Sequence, residues 1–185
     1  MASCDRNLLG QTAALDHEKQ GSMPVKAEVV GAGKRPTRRG SAETFTGVVF
    51  QELLTTANRP SRLAGLVDTF APGARTAWHS HPLGETLYCV SGTGRIGFNG
   101  EPTQMLQPGD VVKIPPDTVH WHGATPDQLF VHLALSETDE KGEGTAWREH
   151  VSEAEYHASR GQNGLMERAA TQEKPKIDSV GELGS

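Results

Sequence analysis

The chain has 185 residues, a formal net charge of -5 and a pI near 5.9, enough length for one sizeable core rather than two domains. Its basic cluster, Lys34, Arg35, Arg38 and Arg39, is too small for a nucleic-acid footprint and reads as a solvated loop. Cys4 and Cys89 give no disulfide framework, no apolar run approaches the ~18 residues of a membrane span, and the N-terminus lacks the apolar core of a signal peptide. The expectation is a soluble, cytoplasmic protein with neither nucleic acid nor membrane as a partner.

Residues 1–24 are polar without a sustained apolar period, and 161–185 repeat that character, so both read as mobile tails around a single domain at 25–160. Between them, short apolar segments are bounded by Gly, Pro, Asn and Asp. In chain order the pattern predicts strands at Phe45–Phe50, Arg62–Phe70, Thr76–Ser80, Thr86–Ser91, Gly94–Phe98, Thr103–Leu106, Val111–Ile114, His120–Gly123 and Leu129–Leu135. Asn99-Gly100 is a hairpin signal because both residues tolerate positive φ, and Ala71-Pro72-Gly73 and Pro108-Gly109-Asp110 mark further turns. Ser152 and Glu155 stand at capping-box spacing, which predicts a short C-terminal helix to about Ser159 that packs as a lid or brace. Many short strands and one small helix point to an all-β, double-sheet jelly roll with a central cavity.

His79, His81 and Glu85 sit at metal-ligand spacing. Side chains of an extended strand alternate faces, so His79 and His81 can share one ion, and Pro82-Leu83-Gly84 lets the chain return Glu85 to it. His120, in a second block that begins at a Pro-Gly-Asp turn and ends in His-Trp-His, supplies a fourth ligand. Imidazoles with one carboxylate suit a divalent transition metal such as manganese or iron, with nickel or zinc also compatible, and leave coordination positions open for substrate. His122 shares a face with His120, so it orients a substrate or fixes the geometry of a neighbour. Trp78 and Trp121 fall on the opposite face and read as core, as does Cys89.

These residues resemble the two motifs of the cupin superfamily, a double-stranded β-helix. The first, Gly, five residues, His-x-His, three or four residues, Glu, six residues, Gly, is met by Gly73, His79, His81, Glu85 and Gly92. The second is met by Gly109, Pro115 and His120, with Asp117 where Gly is usual and Ala124 where Asn is usual. Further stretches, among them Pro72–His79, His120–Ala124 and Trp147–Tyr156, look like small bacterial cupins that include manganese-dependent hydroxynitrile lyases. In that group a Gln is usual at Glu85, so this chain would place one more negative charge on the metal.

The resemblance implies a metal-dependent enzyme acting on a small oxygenated molecule by Lewis-acid lyase chemistry, with His132 near the metal as general base. It also places Leu66 and Asp68 among cavity-lining positions; otherwise Asp68 faces solvent or pairs with Arg75. Glu85 keeps a cupin dioxygenase open, Asp68 with His132 would serve a cyclase or dehydratase, and a non-catalytic ligand-binding cupin completes the alternatives. The open edges of a jelly roll, and the habit of the family, predict a homodimer.

Overall fold

The computed structural model of the chain describes residues 27–158. The predicted tails at 1–24 and 161–185 lie outside that range. Thirteen strands run in the order β1 (Thr37–Arg39), β2 (Phe45–Thr46), β3 (Val49–Thr55), β4 (Leu63–Phe70), β5 (Arg75–Thr76), β6 (His79–Ser80), β7 (Glu85–Gly92), β8 (Gly94–Phe98), β9 (Gln104–Leu106), β10 (Val111–Ile114), β11 (His120–Ala124), β12 (Phe130–Glu137) and β13 (Ala146–Trp147), before α1 (Glu153–His157). One sheet has the order β1-β3-β4-β12-β7-β10; the other has β13-β6-β11-β5-β2, with β8 on β11 and β9 on β8. Every ladder is antiparallel.

This is the jelly roll that the short strands and regular turns predict, and its departures have local causes. The strand expected at Phe45–Phe50 is two strands because Gly47, at φ 83, turns the chain from one sheet to the other. Thr76–Ser80 is divided within one sheet: β5 pairs with β2 and β6 with β13, and both pair with β11. The basic run is not wholly a loop, since Thr37–Arg39 pairs with β3 as an exposed edge strand, and Arg35 forms an ion pair with Glu52. Charged side chains on such an edge discourage pairing with a foreign strand.

Phe45, Val49, Phe70, Leu87, Cys89, Ile96, Phe130 and Ala134 form the main core between the sheets. Cys89 is fully buried, and burial pushes its thiol up to about 11. Trp78, Trp121, Val151 and Tyr156 form a second cluster behind the other sheet, where the alternation of β11 sends Trp121 while His120 and His122 face inward.

Ser152 caps α1 as its spacing predicts: its Oγ accepts from Glu155 N at 3.3 Å, and its own N–H donates to Glu155 Oε2 at 2.8 Å. The helix is a brace rather than a lid. Tyr156 packs on Trp121, lies 4.5 Å under the Arg75 guanidinium, and donates its hydroxyl to Ala124 O at 2.7 Å. Replacing Tyr156 with Phe is expected to lower unfolding free energy by about 1–2 kcal/mol, because a buried carbonyl loses its donor. Denaturant titration checks this, and an unchanged midpoint would show that the bond carries no stability.

Candidate metal centre and its cavity

Gly84 makes the hairpin that carries the ligands possible. It holds φ 80 between His81 and Glu85, and a Cβ there would sit 2.4 Å from Ile114 O, so no larger residue fits. The second block is shaped by Asp117, whose φ of 56 explains why Gly is usual at that position; Asp is one of the few side chains that tolerates it. Its N–H donates to His81 O at 2.8 Å, tying the two blocks together.

His79, His81, Glu85 and His120 converge, with one ligand atom from each lying within 4.8 Å of all the others, and all four are buried. Glu85 Oε1 is 3.4 Å from His81 Nε2, and Oε2 is 3.2 Å from His120 Nε2. The donor chemistry fits a cation at this point. His79 Nδ1 donates to Ala77 O at 3.0 Å, His81 Nδ1 to Gly144 O at 2.7 Å and His120 Nδ1 to Thr118 O at 2.8 Å. A carbonyl only accepts, so each Nδ1 carries a proton and each Nε2 is turned toward the Glu85 carboxylate. Nε2 of His81 is buried without a hydrogen-bond partner among the described residues. Three imidazole nitrogens and a carboxylate gathered at one buried point suit a cation lying among them.

The electrostatics agree with ligand states. Burial, helped by the charge of His120, lowers His79 to about 3, so its ring is neutral at physiological pH. For Glu85, burial pushes the carboxyl up, but the His120 hydrogen bond and the His81, His79 and His120 rings together hold it down at about 2.

A cavity of about 150 Å³ opens from the centre, with His79, His81, Glu85 and His122 on its floor. Asp68, Gln51, Leu66, Ala134 and Ser136 form one wall, and Phe45, Thr76, Thr145 and Trp147 form the other side. Asp68 is buried in that wall and accepts from Gln51 Nε2 at 3.0 Å through Oδ1. Burial raises it to about 7 against the opposing Gln51 hydrogen bond, with Glu85 raising it further and Arg38 lowering it. Arg75 is not its partner: that guanidinium faces α1, where it meets Glu153 at 2.7 Å and Val151 O at 3.0 Å.

His122 and His132 form a pair. His132 Nε2 and His122 Nδ1 are 3.1 Å apart, and His122 Nε2 lies 3.7 Å from Glu85 Oε2. Burial above all lowers His132 to about 4 and drives His122 well below its ordinary value. His132 does not line the cavity. It is fully buried beside the rings of Phe70 and Phe130 and meets the site through His122.

Sequence reasoning missed Gln51, Gly144 and Trp147. Gln51 lies one residue past the predicted end of its strand, so its inward alternation with Val49 went uncounted. Gly144 acts through a backbone carbonyl, which no residue type signals. Trp147 is on a two-residue strand and is half-exposed, yet its ring packs tilted 4.8 Å from His79 and edge-on 5.8 Å from Phe45 at the cavity mouth.

A jelly roll with a three-histidine, one-glutamate centre between its sheets defines the class, and comparison agrees. Residues 66–134 match the cupin domain model. The chain is 42% identical over 129 residues to the (R)-mandelonitrile lyase of Granulicella tundricola, across 70% of this chain and 98% of that protein. A cupin-like protein from Thermotoga maritima is 39% identical, with a TM-score of 0.63, over 71% of this chain and 99% of its own. A polyketide cyclase from Streptomyces resistomycificus shares the fold at 18% identity and a TM-score of 0.52, over 71% and 91% of the two chains. The chain belongs to the cupin family. Among the described residues no helix is long and apolar enough to cross a membrane.

Proposed function

We propose that the protein is a metal-dependent lyase that cleaves a cyanohydrin-type carbon–carbon bond. The observation that carries this reading is the convergence of four buried ligands on a small, largely apolar cavity, taken with the 42% identity to a mandelonitrile lyase along nearly its whole length. A divalent ion held by His79, His81, Glu85 and His120 would supply Lewis acidity to a substrate oxygen. Phe45, Leu66 and Trp147 offer an apolar seat for the organic substituent. Cleavage transfers the hydroxyl proton away and sends the electron pair of the breaking bond to the nitrile carbon, which departs with a proton as hydrogen cyanide. His122, whose Nε2 is unpartnered and faces the floor, is placed to handle that proton.

Manganese-loaded protein is expected to release cyanide and benzaldehyde from mandelonitrile above a chelator-stripped control, read as benzaldehyde absorbance. Equal rates in both samples would sink this reading. Glu85 favours a second one, dioxygenase chemistry, because its carboxylate lowers the net charge at the ion and with it the Lewis acidity on which lyase chemistry depends. Oxygen uptake by iron-loaded protein separates the two.

A further inference from the structure

The wall that the larger sheet gives to the cavity is ordered by its strand register. Ser136 on β12 lies opposite Glu85 on β7 and Ala64 on β4, Ala134 lies opposite Leu66, and Gln51 on β3 lies opposite Asp68. All of them line the cavity. Along β4 the wall therefore passes from the level of the ligand Glu85, through an apolar step at Leu66 and Ala134, to a polar end at Asp68 and Gln51. Same-face steps on one strand are roughly 7 Å apart. One step further in, Val49, Phe70 and Phe130 close the core.

An acid at that inner end is out of place unless a ligand meets it. Asp68 is 4% exposed, Gln51 Nε2 donates to its Oδ1 at 3.0 Å, and among the described residues it forms no ion pair. A carboxyl can take several hydrogen bonds, and burying it half-satisfied is unfavourable. The Gln51 bond occupies Oδ1 and leaves Oδ2 for a group that enters the cavity. Size and charge define that group. A space of about 150 Å³ is the size that admits one benzene ring. A ring seated on Leu66 brings its far edge within one same-face step of Asp68, where a bare C–H edge would displace water from the carboxyl and put nothing in its place. An anion would be repelled by the Asp68 carboxylate, and a cation by an ion held at the metal centre. A neutral hydroxyl donates to the carboxylate and accepts from the acid, so it suits both forms of a group that burial raises to about 7 against the Gln51 hydrogen bond.

We propose that Asp68, held by Gln51, is a subsite for a hydroxyl group on the aromatic substituent of the substrate, at the end remote from the reacting carbon. The inference rests on the lyase reading for the identity of that reacting end. It makes the preferred substrate a hydroxylated aromatic cyanohydrin, with the unsubstituted compound a poorer one. Asp68 then determines specificity by touching the substituent, while the reacting atoms lie toward Glu85. A site built to hydrogen-bond a substrate hydroxyl discriminates against the analogue that lacks it, because its own buried polar atoms are left unpaired.

The test has two arms, and the first needs no turnover. Full-length protein at full zinc occupancy is titrated with benzaldehyde and with ortho-, meta- and para-hydroxybenzaldehyde, and dissociation constants are read from ligand NMR. The best hydroxy isomer is expected to bind wild type about tenfold tighter than benzaldehyde, or more. Asp68→Val, which removes the polar atoms, should bring that ratio to about one, and Asp68→Asn, which keeps the shape and a hydrogen-bonding end, should retain a clear preference. A wild type that binds no hydroxy isomer better than benzaldehyde, or binds no aldehyde at all, overturns the subsite, as does a ratio unchanged in Asp68→Val. In the second arm, manganese-loaded protein is given mandelonitrile and the matching hydroxymandelonitrile. The kcat/KM for cyanide release should show the same preference, carried by KM, and lose it in Asp68→Val; a preference carried by kcat alone would put Asp68 at the reacting atoms and overturn the proposal. If neither compound is cleaved, the lyase reading fails and the binding arm decides the subsite.

Discussion

Replacing His120 with alanine is expected to strip the protein of its metal. Among the candidate ligands His120 is the one with no exposed surface at all, and its Nδ1–H is fixed on Thr118 O at 2.8 Å, which aims its Nε2 at the centre. Changing residues that merely orient a ligand already costs roughly 10- to 100-fold in affinity, so removal of a ligand should cost about 100-fold or more. Mass-spectrometric metal analysis after dialysis is expected to give near one equivalent for wild type and under a tenth for His120→Ala, with activity falling in proportion. Circular dichroism of both proteins guards against unfolding. Unchanged stoichiometry in a folded variant would exclude His120 from the coordination sphere.

The second large effect is structural, although it falls within the motif that carries the ligands. Gly92→Ala is expected to destabilise the fold by about 3–5 kcal/mol, from overpacking and an unfavourable positive φ together. Gly92 holds φ 74 at the end of β7, and a Cβ there would lie 1.9 Å from Leu129 O. Backbone cannot swing aside as a side chain can, so β7 and the start of β12 must separate, and those strands carry Glu85 and His132. Since a domain of this size has roughly 5–15 kcal/mol in total, much of the chain should be unfolded at modest denaturant. A midpoint within experimental error of wild type would refute the steric argument. Gly92 is thus retained for packing rather than chemistry.

The metal centre was legible in the sequence because it depends on local spacing: His79, His81 and Glu85 lie on one turn, and His120 opens a second block with its own turn signals. The jelly roll was legible for a similar reason, since turn residues and alternation recur along the chain. Contacts between strands were not. Asp68 could be assigned to a cavity by resemblance, but its Gln51 partner depends on the register of β3 against β4, which no local pattern specifies. His132 shows the same limit, because alternation places it inside the barrel without saying whether the cavity or His122 meets it first. Asp117 is a departure from the usual Gly whose meaning lies in the backbone, since its φ of 56 keeps the conformation that Gly would adopt.

The carbonyl of Gly144 and the ring of Trp147 are three residues apart, one fixing the His81 imidazole and the other packing on His79 at the cavity mouth. One short segment would therefore bear both on access past Trp147 and on the hold of His81 on an ion. Lengthening the Asp139–Gly144 turn to admit a bulkier molecule would also loosen the carbonyl that keeps His81 aimed, so in this scaffold a wider doorway comes with a leakier metal.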